Sequence, residues 1–166
     1  MHLSFSPCPN DTFVFHAAIH EKIVTEGLDF SVQLADIEEL NQMVHARIPD
    51  ISKVSFFTMA KVLDDYVMLP VGAALGRANG QKLVARSKFS IAELPNKKIV
   101  IPGQGTTAFL LYRLLLPRAK EEGFCLYDKV ASLVNEQNYD CGIILHETRF
   151  LLEKLGLEEI VDLGSL

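Results

Sequence analysis

Residues 6–17 read S-P-C-P-N-D-T-F-V-F-H-A, and this segment narrows the choice of folds more than any other. Pro7 and Pro9 cannot continue a helix or donate to a central sheet ladder. They hold Ser6, Cys8 and Asn10 in an extended or turning path. Asn10, Asp11 and Thr12 then supply three N-cap candidates ahead of a run that can be helical. A stiff loop is thereby delivered onto a helix N-terminus, directly after a short strand candidate at 2–6. Backbone N–H groups and small hydroxyl or amide side chains meet there, which suits an anionic or hydroxylated ligand. The same residues equally describe an ordinary strand-to-helix turn, because N-caps occur on most helices.

Beyond that loop, strand and helix patterns alternate. Helical patterns fall at 12–22, 37–44, 56–64, 106–116, 130–135 and 148–155, and strand patterns at 28–34, 51–54, 67–75, 83–86, 98–101, 141–145 and 160–163. Asp36-Ile37-Glu38-Glu39 resembles a capping box, with Ile37, Leu40, Met43 and Val44 on one helical face. Pro117 ends or kinks the helix before it. Such alternation predicts an α/β fold with mostly parallel strands. A polar stretch with Pro95, residues 87–96, separates two α/β blocks. The expected lobes are therefore Met1 to Arg86 and Ser87 to Leu166.

Composition excludes several classes. With 49% hydrophobic and 22% charged residues, the 166-residue chain is globular. Its net charge is −5 and no basic cluster is present, which argues against nucleic acid as a partner. Cys8, Cys125 and Cys141 are odd in number and widely spaced, so they suggest neither a disulfide framework nor a zinc site. That pattern fits a reducing cytoplasm. The first twenty residues lack a signal-peptide pattern, and no segment is apolar over a membrane's width.

A second loop, Pro102-Gly103-Gln104-Gly105-Thr106-Thr107-Ala108, follows a strand and opens a helix. Its glycines permit close backbone approach, its threonines carry hydroxyls, and the helix N-terminus adds partial positive charge. Taken literally it matches G-x-G-x-x-A, the dinucleotide fingerprint. Pro102 before the first glycine speaks against that match, as do Glu121 and Glu122, which follow Pro117 in what reads as a polar turn. An anion site is the expectation, and a nucleotide site is not.

A third segment, Ile143 to Arg149, ends an apolar strand in His146. In open α/β sheets ligands bind beyond the carboxyl ends of the strands. A histidine there suits general-base work near neutral pH. The competing reading is a partly exposed histidine capping the next helix. His16 and His20 stand four apart on one helix, a metal-binding spacing, but no third ligand accompanies them. Lys53, at the end of a short strand, is as readily a surface lysine as a ligand contact.

Together these motifs resemble one family. S-P-C-P-N-D-T-F at 6–13, A-D-I-E-E-L-N at 35–41, K-V-S at 53–55, G-A-A-L-G at 72–76, P-G-x-x-T-T-A at 102–108, H-E-T-R-F at 146–150 and V-D-L-G at 161–164 occur in the order seen in 1,4-dihydroxy-6-naphthoate synthases of the futalosine route to menaquinone. The resemblance implies a fold similar to type II periplasmic binding proteins, with two α/β lobes closing on a cleft. It implies a lyase that splits cyclic dehypoxanthine futalosine into 1,4-dihydroxy-6-naphthoate and dihydroxyacetone, with no metal or organic cofactor. His146 matches the proton acceptor. Lys53, Val54 and Ser55 match first-lobe substrate contacts, and Thr106, Thr107 and Ala108 match second-lobe contacts. Ser6, Asn10 and Asp11 match the loop at the cleft mouth.

The same fold also serves non-catalytic binding modules for small anions, and a chorismate dehydratase of the same pathway shares it. The first and sixth motifs argue against the dehydratase, which stays as an alternative together with the binding module. Family members continue past V-D-L-G, whereas this sequence stops at Leu166. The expectation is a first lobe lacking a crossing segment and its packing helices, with apolar surface uncovered. A homodimer that covers this surface, or a weakly active fragment, would follow.

Overall fold

A computed structural model describes residues 1–74 and 80–166, and of His146 and Glu147 the backbone alone. The chain divides into two compact units, Met1–Leu75 and Gly76–Leu166.

The first unit is built as strand, helix, strand, helix, strand. Strands β1 (His2–Phe5), β2 (Ser31–Leu34) and β3 (Ile51–Ser52) form a sheet in the order β2-β1-β3. Both pairings are parallel, with Leu3 opposite Val32 and Ile51. Parallel neighbours require crossovers, supplied here by helices α1 (Pro9–Ile19) and α2 (Ile37–His45). Central β1 buries Leu3, Ser4 and Phe5, as a strand covered on both faces must. Helix α2 buries Leu40, Met43 and Val44 along one face, and the Asp36 carboxylate caps it by accepting from Glu38 N–H at 2.8 Å. A short helix α3 (Phe56–Met59) follows β3.

The second unit holds strands β4 (Lys82–Ala85), β5 (Lys98–Ile101), β6 (Glu121–Phe124), β7 (Cys141–Ile144) and β8 (Glu158–Asp162), in the order β6-β5-β7-β4-β8. β5 runs parallel to β6 and β7, and β4 runs antiparallel to β7 and β8. Helices α4 (Thr107–Leu115) and α5 (Val130–Asn135) complete it. The period-2 rule divides the core in two. Leu83, Ile99, Ile101 and Ile143 pack with Ala108 and Tyr112 of α4. Val84, Val100 and Ile144 pack with Val130 and Val134 of α5.

Several expectations are corrected. The strand at 83–86, assigned to the first lobe, pairs with β7 and β8 and belongs to the second unit. The polar stretch 87–96 is no linker: Ile91–Asn96 forms a 3-10 helix closed by a capping box between Ser90 and Glu93. Residues 67–74 form no strand, since Pro70 and the left-handed Gly72 (φ 76°) interrupt the extended run; the last residue of that segment lies outside the described residues. The helix expected at 148–155 is a 3-10 turn, His146–Phe150, followed by turns. Glu121 and Glu122 lie in strand β6, not in a turn. Finally, α1 starts earlier than expected: its N-cap is Cys8 and Pro9 sits in the first turn, where a missing N–H costs nothing.

Candidate functional site

In the first unit, β1 and β3 are parallel neighbours, so the segments leaving their carboxyl ends emerge at the same sheet edge. Those segments carry Ser6 and Lys53-Val54-Ser55. The backbone ties them together, with Lys53 N–H donating to Ser4 C=O at 2.8 Å.

Asp11 joins them through side chains. It is 5% exposed, although Phe13 and Val14 beside it on α1 are open to solvent. One carboxylate oxygen, Oδ1, pairs with Lys53 Nζ at 3.2 Å. The other, Oδ2, accepts from the Ser6 hydroxyl at 2.8 Å and from Ser6 N–H at 3.3 Å. Lys53 Nζ also donates to Gly72 C=O at 3.0 Å. Asp11 therefore turns inward and clamps Ser6 and Lys53. Asn10, one residue earlier, is exposed.

Ser55 is buried and held by Asn41 of α2. Ser55 N–H donates to Asn41 Oδ1 at 3.0 Å, and Asn41 Nδ2 donates back to Ser55 Oγ at 3.1 Å. Val54 packs against Val44, Met59 and Val62. Asn41 closes the A-D-I-E-E-L-N motif, which by itself assigns this residue no role. Its signal in the sequence is a polar residue between Leu40 and Met43 on the apolar face of α2.

In the second unit β5 and β7 are parallel neighbours, so the loop 102–106 and the turn opened by His146 leave the same edge of one sheet. Gly103 takes φ 97°, a conformation open to glycine, and turns the chain from β5 toward α4. Thr106 is the N-cap of α4: its hydroxyl accepts from Phe109 N–H at 3.2 Å and donates to Gly103 C=O at 2.8 Å. Thr106 is 4% exposed, so its hydroxyl serves the helix, and Ala108 is buried in the core. Half-buried Thr107 has its hydroxyl outside that cap, and the N–H groups of Thr107 and Ala108 have no acceptor within the helix. His146 lies one residue beyond Leu145, at the carboxyl end of β7.

No group of three or more potential metal ligands occurs among the described residues; the rings of His16 and His20 lie 4.5 Å apart between centroids. Among the same residues no helix is long and apolar enough to cross a membrane.

Two α/β units with polar turns at strand carboxyl ends define a type II periplasmic-binding-protein-like fold. The alkanesulfonate-binding protein of Xanthomonas axonopodis pv. citri, solved with MOPS bound, is similar in fold alone, with a TM-score of 0.69 at 10% identity over 98% of this chain and 60% of that one. Within this class, the chain belongs to the menaquinone biosynthesis family, which it matches over residues 1–166. A 1,4-dihydroxy-6-naphtoate synthase of Thermus thermophilus is 37% identical to it over 170 residues, covering 99% of this chain and 59% of the relative. The chain thus spans about three-fifths of the length of the curated relatives it matches. A crystal structure of an Archaeoglobus fulgidus protein superposes with a TM-score of 0.91 at 30% identity, covering 99% of this chain and 60% of that one.

Proposed function

We propose that this chain carries the chemistry of a 1,4-dihydroxy-6-naphthoate synthase, a cytoplasmic carbon–carbon lyase acting on cyclic dehypoxanthine futalosine. In this reading His146 accepts a proton from a substrate hydroxyl. The alkoxide becomes a carbonyl as the adjacent carbon–carbon bond breaks. The electron pair of that bond passes to the other fragment, which takes up a proton. The products are 1,4-dihydroxy-6-naphthoate and dihydroxyacetone. The N–H groups of Thr107 and Ala108, with the Thr107 hydroxyl, hold an oxygen where charge develops. Ser6, Asn10, Lys53 and Ser55 contact the substrate directly. Val54 and Thr106 contribute through packing and helix capping.

The observation that carries this reading is the pairing of β5 with β7. It brings the backbone of His146 and the open first turn of α4 to one edge of one sheet, as base and oxygen cradle require. The likeness to a relative named for its 1,4-dihydroxy-6-naphthoate product supports that half of the reading, and the substrate is the one the motif resemblance implies. The test is to incubate the protein separately with cyclic dehypoxanthine futalosine and with chorismate and to read products by mass spectrometry. Release of the naphthoate and dihydroxyacetone from the first substrate is expected. Turnover of chorismate alone would move the chain to the dehydratase activity, and turnover of neither would leave a binding module.

A further inference from the structure

Ser55 occupies the N-cap of α3 with extended backbone angles (φ −66°, ψ 143°), yet its hydroxyl makes no cap bond. A serine at this position normally accepts from the first-turn N–H groups. Here Asn41 has claimed it. A backbone N–H can only donate, so the atom of Asn41 facing Ser55 N–H must be the carboxamide oxygen, 3.0 Å away. The amide nitrogen is then fixed toward Ser55 Oγ at 3.1 Å and Glu38 Oε2 at 3.3 Å. Because Ser55 Oγ receives that bond, its own hydrogen remains available to a ligand.

Ser6 has the opposite polarity. A carboxylate has no hydrogen to give, so the 2.8 Å contact with Asp11 Oδ2 commits the hydroxyl hydrogen of Ser6 inward. Its oxygen, already accepting from Cys8 N–H at 3.4 Å, can only accept further. Lys53 Nζ gives two hydrogens to Asp11 and Gly72 C=O and retains a third.

We propose that Asn41 and Asp11 are positioning residues that preset the hydrogen-bonding polarity of this sheet edge: Ser55 and Lys53 donate to an acceptor oxygen of the substrate, and Ser6 accepts from a substrate hydroxyl. The role rests on the synthase reading, whose products carry both kinds of group: a carboxylate on the naphthoate and hydroxyls on dihydroxyacetone. Fixed donors and acceptors reject analogues with the wrong partner more strongly than shape alone, because a mismatched analogue leaves a buried polar group unpaired.

The test uses the isosteric exchange Asn41→Asp. Two acceptor oxygens would then face Ser55, and its hydroxyl hydrogen would turn inward. Asn41→Asp and Ser55→Ala are each expected to raise KM for cyclic dehypoxanthine futalosine by about tenfold, the equivalent of one hydrogen bond, with kcat little changed. The double variant should be no worse than Ser55→Ala alone, because both remove the same donor. Asp11→Asn acts on Ser6 and Lys53, so its effect should multiply with that of Ser55→Ala. Independent, multiplying effects of Asn41→Asp and Ser55→Ala would overturn the proposal, as would an unchanged KM in Asn41→Asp. Should Asn41→Asp fail to fold, the side-chain amide signals of Asn41 in a ¹H–¹⁵N spectrum carry the test: Ser55→Ala should shift them and Asp11→Asn should not. If the unaltered protein turns over no substrate, the synthase reading falls, and the same spectra still decide the polarity: Asn41 signals unmoved by Ser55→Ala would refute it.

Discussion

Asp11 and Lys53, forty-two positions apart in sequence, form an ion pair of 3.2 Å at the carboxyl edge of a parallel sheet. The aspartate side chain is 8% exposed and the lysine 21%. A pair this sheltered is less screened by salt than one in open solvent. Removing one partner leaves a sheltered charge without its counterpart. Asp11→Ala should destabilise the protein by about 1–3 kcal/mol, because Ser6 loses its acceptor as well. A double-mutant cycle with Lys53→Met, read by urea unfolding, should return a coupling of at least about 0.5 kcal/mol that persists at raised salt. Additive effects would mean that the pair holds nothing together.

Tyr112 fastens α4 to β6. Its hydroxyl donates to Glu122 Oε1 at 2.8 Å and accepts from Ala119 N–H at 2.8 Å. Burial, reinforced by Glu122 and opposed by the Ala119 N–H, pushes its phenol from 10.0 up to about 12. The folded chain therefore holds this proton more tightly than the unfolded chain does. The resulting stability is complete below pH 10 and is lost as pH rises through about 12. Tyr112→Phe should cost about 1–3 kcal/mol at neutral pH. It should also flatten the loss of stability measured by unfolding between pH 9 and pH 12.

Gly142 lies in the middle of the core-facing β7. A Cβ built there would come within 2.6 Å of Val130 Cγ1 and 3.0 Å of Val100 Cγ1. Both neighbours are stiff β-branched side chains with no exposure. Gly142→Ala should destabilise by about 1–3 kcal/mol through overpacking, despite the better strand propensity of alanine. Thermal unfolding reads this directly, and an unchanged or raised Tm would contradict it.

Cys141 is fully buried, and that burial pushes its thiol up to about 12. Since the thiolate is the nucleophile, alkylation of native protein at pH 8 should leave Cys141 unmodified. Peptide mass mapping should find label there only after denaturation. Cys8 and Cys125 are half-buried, so any label taken up by the native protein is expected at these positions and not at Cys141.

The sequence announced some of this through local chemistry. The segment 102–108 reads as a loop that opens a helix and is one, because Thr106 caps the first turn of α4 from within four residues. The A-D-I-E-E face reads as amphipathic and packs accordingly. Strand β6 was not legible: E-E-G-F has no β-branched residue, and what makes it a strand is its pairing with β5, aided by a 3.0 Å contact between Lys98 and Glu121. The inward turn of Asp11 was equally hidden. Its partner Lys53 lies forty-two residues on, and nothing local separates a carboxylate that clamps a loop from one that caps a helix. Asn41 was readable in principle, as a polar residue on a buried stripe. The stretch 87–96 reads as a boundary, yet polar residues with a proline also make a capped 3-10 turn, and here they do.

Single-turnover kinetics of the His146→Ala and His146→Gln variants test whether His146 is the base of the proposed carbon–carbon cleavage. With cyclic dehypoxanthine futalosine, the account predicts a cleavage rate lower by about 10²–10⁴-fold in both variants, loss of the rise in rate with pH near neutrality, and substrate affinity within a few-fold of the unaltered protein. A variant that keeps its rate and its pH profile would contradict the assignment.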